Sequence, residues 1–237
     1  MKNEINKIAK DTNYFLKKFI NNQNSSHLIS AMKYGLFPGG KKIRSKILID
    51  FGSLFSIRYK TLIQIGAAVE CIHAYSLIHD DLPCMDNDKL RRGKATTHIK
   101  YGESTAVLAG NSLLTLAFEM ISDKKFKIKD NNKISLIKKL AECSGHTGIA
   151  GGQELDLKFE KKRKKFKEII NMQRKKTGKL FGFCCFAVGQ IAGQSKKANI
   201  KLIKLGEDIG LLFQLTDDFL DVKGKSKYTG KKVNKDK

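Results

Sequence analysis

Proline occurs only twice in 237 residues, at Pro38 and Pro83. A proline inside a helix costs about 3 kcal/mol, because it removes a hydrogen bond and its ring clashes with the preceding turn. A chain so free of breakers favours long helices, and its apolar periodicity agrees. Ile5, Ile8, Phe15 and Phe19 mark a first amphipathic helix, ended by the polar run 21–26. Residues 28–36 form a second, closed by Phe37-Pro38-Gly39-Gly40. Over 61–79, Leu62, Ile65, Val69 and Ile72 recur at helical steps as one stripe of a long helix. Pro83 ends it, since proline disfavours helical geometry at the preceding Leu82. Further helices are expected over 104–121, 132–145, 165–194 with a kink, and 200–222. There is no alternating strand pattern and no internal repeat. The expected fold is an all-α bundle with one helical domain over 1–222. The lysine-rich stretch 223–237 has almost no apolar anchors and is expected to be a solvated, mobile tail.

The formal net charge is +23, which admits nucleic acid, an anionic membrane or a polyphosphate as partner. The lysines are scattered, without interleaved aromatics or a nucleic-acid motif, so they read as a solvated surface and no nucleic-acid partner is expected. Residues 180–193 carry no charge but fall short of the about 20 apolar residues that cross a bilayer, and read as a buried helix. The N-terminus lacks a signal-peptide core. Five cysteines, without zinc-type paired spacing, read as reduced and mostly buried thiols. A cytoplasmic protein with no integral membrane association is expected.

In so basic a chain carboxylates are scarce, yet two clusters concentrate them: Asp80-Asp81 with Asp86, and Asp217-Asp218 with Asp221. Two carboxylates about 5 Å apart repel by roughly 3 kcal/mol at an effective dielectric near 20. Cations must offset that, and hard oxygen ligands suit magnesium held together with substrate phosphates. Asp217 and Asp221 lie one helical turn apart on one face. Pro83 breaks the first cluster's helix, so a loop has to return Asp86 to Asp80. One such cluster reads equally as a charged helix terminus; two, each at the end of an apolar helix, favour a site.

Cations flank the first cluster. Gly39-Gly40-Lys41-Lys42-Ile43-Arg44 offers a flexible turn into basic residues, and Arg91-Arg92-Gly93-Lys94 comes after the aspartates. Arginine forks suit phosphate oxygens, whereas Lys42 and Lys94 read as ordinary surface cations. His73 shares a face with Asp80 and reads equally as a core histidine; His79 is given no role. Gly151-Gly152-Gln153-Glu154-Leu155-Asp156 and Lys175-Lys176-Thr177-Gly178 place polar groups in helical stretches, and Gln214 shares a face with Asp217. No role is read for Gln153, Asp156 or Asn111.

Taken together, these segments resemble the trans-isoprenyl diphosphate synthases, and are most similar to the bacterial short-chain farnesyl diphosphate synthases, from the N-terminal helices to about Lys231. The resemblance implies an isoprenoid-synthase-type bundle with a central substrate cavity. It implies head-to-tail condensation of isopentenyl diphosphate with dimethylallyl or geranyl diphosphate, giving farnesyl diphosphate and pyrophosphate through an allylic cation. Mg2+ would be held by Asp80, Asp86, Asp217 and Asp221, supported by Asp81 and Asp218, with about three ions bridging the diphosphate. Motif matching places isopentenyl diphosphate on Lys41, Arg44, His73 and Arg92. The allylic diphosphate falls to Arg91 and Lys231, while Lys176, Thr177 and Gln214 line the cation and hold the leaving group. A homodimer is implied too.

The growing chain would run down the helix from Asp80 past Ser76 and Tyr75. Tyr75 lies five residues back, about 7.5 Å along the axis, so its ring would floor the cavity after one or two additions. The resemblance implies a fifteen-carbon product, which in the family goes with an aromatic at this position and two extra residues in the first acid motif. Ser45 stands where the family commonly has proline, and Asn111 where it has aspartate. The family's Lys-x-Thr-Tyr-Pro segment and later helices do not appear, so the helical domain is expected to be incomplete at its C-terminus. Rival readings are a geranylgeranyl or geranyl product, or a non-catalytic remnant or regulatory subunit.

Overall fold

The structure, a computed structural model, describes the backbone of residues 2–23, 25–160 and 162–223, and side chains from 3 to 220 within those limits. The expected 223–237 tail, apart from the backbone of residue 223, lies outside the described residues, and with it Lys231; so does the side chain of Asp221.

Eleven helices and one small hairpin occur in order among the described residues. They are α1 (Lys2–Asn21), α2 (His27–Leu36), α3 (Ile43–Leu54) and α4 (Tyr59–Asp80), then β1 (Leu90–Arg91) and β2 (Lys94–Ala95). After these come α5 (Thr97–Tyr101), α6 (Glu103–Ser122), α7 (Asp130–Ser144), α8 (Ile149–Phe159) and α9 (Phe166–Gln173). A π-helical turn (Arg174–Gly178) joins α9 to α10 (Lys179–Ile191), and α11 (Lys196–Lys223) packs against α10. The stretch 165–194, expected as one helix with a kink, is α9 and α10 with this π turn between them.

The all-α expectation holds, with three helices and a hairpin that the periodicity did not reveal. Helix α3 starts without a capping side chain, from Lys42 in the left-handed region at φ 49°, so it lacks a start signal. Helix α8 carries Gly151 and Gly152 in its first turn, each about 1 kcal/mol poorer than alanine in a helix. The hairpin has two residues per strand, too few for alternation.

Helix α4 is the centre of the bundle. The expected stripe of Leu62, Ile65, Val69 and Ile72 is buried, but so are Ala67, Ala68, Cys71 and Ala74 on its other faces. It packs against α3, α6, α1 and α2. A helix that is apolar all round is stable only when surrounded. By length and composition α4 and α6 could each cross a membrane; in the bundle, 78% of the apolar window of α4 is already covered by protein.

The second structural seam lies between α10 and α11. Gly178 and Gly182 on one side meet Gly206 and Gly210 on the other, so the backbones approach directly. A Cβ at Gly206 would lie 2.5 Å from the carbonyl oxygen of Phe181 and 2.8 Å from the Cα of Gly182. Neither neighbour is a flexible side-chain end, so the helices must part. Gly206→Ala should therefore destabilise the fold by about 1–3 kcal/mol. Urea denaturation checks this, and an unchanged midpoint would contradict it.

All five cysteines are free thiols, with Cys84 exposed and the rest buried. Burial pushes Cys143 up to about 12 and Cys185 up to about 11, and raises Cys71 and Cys184 as well. The thiolate is the reactive form. The native chain should therefore release one thiol equivalent to a disulfide reagent, from Cys84, and all five only on unfolding. Mass mapping of the labelled residue checks it.

Candidate active site

The first acid cluster caps the C-terminal end of α4. Pro83 does end the helix, and the chain then folds back: the Asp86 N–H donates to the Asp80 carbonyl at 2.9 Å, and the Asn87 N–H to the Leu82 carbonyl at 3.1 Å. Asp86 thus returns beside Asp80 through a loop, as the broken spacing required. Asp81 is 3% exposed and is gripped by Arg91, whose Nε lies 2.8 and 2.9 Å from its two oxygens. Burial pushes the Asp80 carboxyl up to about 7; Lys176 and Arg91 oppose the rise, while Asp86 and Asp81 add to it. Asp80 would therefore gain from a cation beside it.

The hairpin aims the two arginines. Arg92 and Gly93 both have positive φ, 52° and 75°, between the paired Arg91 and Lys94, which makes a two-residue type I′ turn. Arg91 points to Asp81, whereas Arg92 donates through Nη1 to the Gly39 carbonyl and lies over Gly40. A Cβ at Gly40 would collide with that guanidinium, and Gly39 and Gly40 have φ 97° and 109°, so both glycines are needed in this turn.

Residues 41–44 continue from that turn. Lys41 is exposed, and so is Lys94. Lys42 is not the surface cation its sequence context suggested: only 9% exposed, it donates to the Leu36 carbonyl at 3.3 Å and pairs with Glu70 at 3.5 Å. The left-handed backbone at Lys42 turns its side chain inward. Arg44 lies over the Phe181 ring at 4.8 Å, and its buried Nε has no hydrogen-bond partner among the described residues. Burial lowers the Arg44 pKa, with Glu70 the chief opposing charge. On α4, His73 is held well below its ordinary pKa by burial, then by Arg44, Arg92, Lys42 and Arg91, so its imidazole is neutral at pH 7.

The second cluster reaches the first through α8 and the π turn. Gly152 lets α8 touch that turn, since a Cβ there would lie 2.2 Å from the backbone nitrogen of Lys176. Lys176 pairs with Asp156 at 2.5 Å. Burial opposes its charge, but Asp80, Asp156 and Asp86 outweigh burial and raise its pKa. Gln153 donates to Asp86 at 3.1 Å. On the other side, Thr177 donates to Gln214 Oε1 at 2.8 Å, and Gln214 donates to Asp218 at 2.7 Å. Gln173 also donates to Asp218, at 2.6 Å. The exposed Asp217 acts on Arg44 across the gap.

Gln153, Asp156 and Gln173 thus belong to the site although the sequence assigned none of them a role there. Gln173 is one helical turn before Thr177, the only signal that could have found it. Asn111 is exposed on α6, its carbonyl accepting from the Thr115 hydroxyl at 3.2 Å. His79 meets the Val107 carbonyl at 3.0 Å, packed where a Cβ on Gly110 would lie. Tyr75, 7% exposed, packs edge-on to His79 and donates to the Ser144 carbonyl at 3.1 Å. Ser76 donates to the His73 carbonyl.

No group of three potential ligands among the described residues converges tightly enough to hold an ion alone. The arrangement sets carboxylates from two helices near one another, with the Lys176 ammonium beside the first cluster and arginines at the rim.

Residues 25–237 match the family described as polyprenyl synthetase. The farnesyl diphosphate synthase of Escherichia coli (strain K12) is 43% identical over 233 residues, 96% of this chain and 78% of that protein. That of Bacillus subtilis (strain 168) is 39% identical, over 93% of this chain and 78% of that protein. The apo structure of an FPP/GFPP synthase from Zymomonas mobilis superposes with TM-score 0.88 at 38% identity, covering 93% of this chain and 81% of that one.

Removing Arg91 leaves the buried Asp81 without its bidentate partner. Arg91→Ala should cost about 3–5 kcal/mol of stability, and Arg91→Lys less. Chemical denaturation of both variants checks the order, and equal midpoints would refute the clamp.

Proposed function

Because the chain belongs to the polyprenyl synthetase family, we propose that it is a prenyltransferase joining isopentenyl diphosphate to dimethylallyl or geranyl diphosphate, with farnesyl diphosphate and pyrophosphate as products. The observation that carries this reading is the connection between the two acid clusters. Lys176 acts on Asp80 and Asp86 while its neighbour Thr177 leads through Gln214 to Asp218. A diphosphate between the clusters would meet carboxylates able to share cations with it and an ammonium able to take its charge directly.

Asp80, Asp86 and Asp217 are the described residues suited to hold magnesium, and the position of Asp221 one turn after Asp217 adds a fourth. When bound, the ions would neutralise charge developing on the departing pyrophosphate. Asp81, fixed by Arg91, and Asp218, fixed by Gln214 and Gln173, hold the clusters in shape. Lys176 stabilises the same departing charge. The hydroxyl oxygen of Thr177 and the amide oxygen of Gln214 present lone pairs towards a cation beside them. Isopentenyl diphosphate would occupy the rim formed by Lys41, Arg44, His73 and Arg92, a neutral imidazole among cations leaving room for a diphosphate's charge. The allylic C–O bond breaks, the terminal alkene carbon of isopentenyl diphosphate bonds to the allylic carbon, and the proton lost goes to pyrophosphate.

Tyr75 supports a fifteen-carbon limit, because its hydroxyl is tied to α7 and its ring cannot swing aside without losing that bond. We also infer a cytoplasmic homodimer, for which the exposed Ile99, Val107 and Leu108 on α5 and α6 offer an apolar surface.

With isopentenyl and geranyl diphosphates and Mg2+, the purified chain should yield a fifteen-carbon product, and Asp80→Ala should cut the rate by at least about a hundredfold. Tyr75→Ala should lengthen the product, and an unchanged length would remove Tyr75 from that role. Product of twenty or ten carbons from the unaltered chain would favour the rival chain lengths. No product from folded protein would favour the non-catalytic reading.

A further inference from the structure

Glu70 is an acid in the middle of the most buried helix, 3% exposed, with no role in the chemistry above. Its Oε2 lies 3.5 Å from the Lys42 ammonium. Its Oε1 lies 3.0 Å from the Ser45 hydroxyl and 3.4 Å from the Ser45 N–H. The hydroxyl has one proton to share between Glu70 and the Gly66 carbonyl, 3.2 Å away. A buried carboxylate with these partners is held firmly, and so are they.

The two partners bracket Arg44. Lys42 precedes it at the left-handed start of α3, and Ser45 comes after it in the first helical turn. A non-glycine residue at positive φ needs such anchoring, being of order 1–3 kcal/mol unfavourable alone. Arg44 itself has little else to fix it beyond the Phe181 ring, since its Nε is unpartnered among the described residues.

We propose that Glu70 is a positioning residue for the isopentenyl diphosphate subsite, acting through Lys42 and Ser45 to fix the backbone on both sides of Arg44. This rests on the subsite assignment made above. Glu70 also supplies the opposing charge felt by Arg44 and Arg92, so it limits repulsion among the rim cations before a diphosphate arrives.

The test is Glu70→Gln, which keeps shape and removes charge, with Ser45→Ala as a milder second variant. Steady-state kinetics would vary isopentenyl diphosphate at saturating geranyl diphosphate, then the reverse. KM for isopentenyl diphosphate should rise about tenfold in Glu70→Gln and about threefold in Ser45→Ala, with kcat and the allylic KM within about twofold. Calorimetric binding of isopentenyl diphosphate to each folded variant should weaken by the same factors. Equal changes in both KM values, or none in that for isopentenyl diphosphate, would overturn the proposal while leaving prenyl transfer intact. Glu70-dependent binding without turnover would uphold the proposal and defeat the catalytic reading. Absence of binding to the unaltered chain would overturn both.

Discussion

The burial of α4 along most of its length is the constraint on which the rest of the molecule depends. Its apolar residues face neighbours on every side, so its position and rotation are set by α1, α2, α3 and α6 together. Asp80 and Asp81 stand at its end and Glu70 and His73 along its length, so each inherits that rigidity. A site mounted on a surrounded helix holds its geometry better than one mounted on loops. The return of Asp86 depends on loop conformation, and two backbone hydrogen bonds fix that loop to the helix end.

Charge is distributed with similar economy. Lysine and arginine outnumber acids by 46 to 23, yet the acids around the site are matched with particular cations rather than with the general excess. Buried Asp81 faces Arg91 and buried Glu70 faces Lys42, while the more open Asp156 faces Lys176. Buried pairs of this kind add little net stability, because desolvation offsets the attraction, but losing one partner is costly. Their value is geometric. Asp80 differs, since burial acts on it more strongly than its cations do.

The two halves of the site are joined by close backbone contacts. Gly152 allows α8 against the π turn, and the glycines of α10 and α11 allow those helices together. A π turn inserts one residue relative to an α-helix and so rotates the next helical segment about its axis. Here it carries Lys176 towards the first cluster while Thr177 meets Gln214 near the second.

The sequence by itself determined the helical class, both acid clusters, the break at Pro83 and the paired cations beside it, because each depends on residue type and local spacing. Periodicity also found the long helices, since an apolar stripe survives in a linear string. It could not find α3 or α8, whose starts have a left-handed lysine or two glycines where a signal would be. Nor could it tell Lys42 from Lys41: both are lysines after a glycine pair, and only the φ of 49° turns one inward to Glu70. Gln153, Asp156 and Gln173 lay in plain view, but a glutamine's partner is chosen by helices that meet far apart in sequence. Those choices belong to tertiary packing, because a hydrogen bond across 67 residues, as between Gln153 and Asp86, leaves no trace in local pattern.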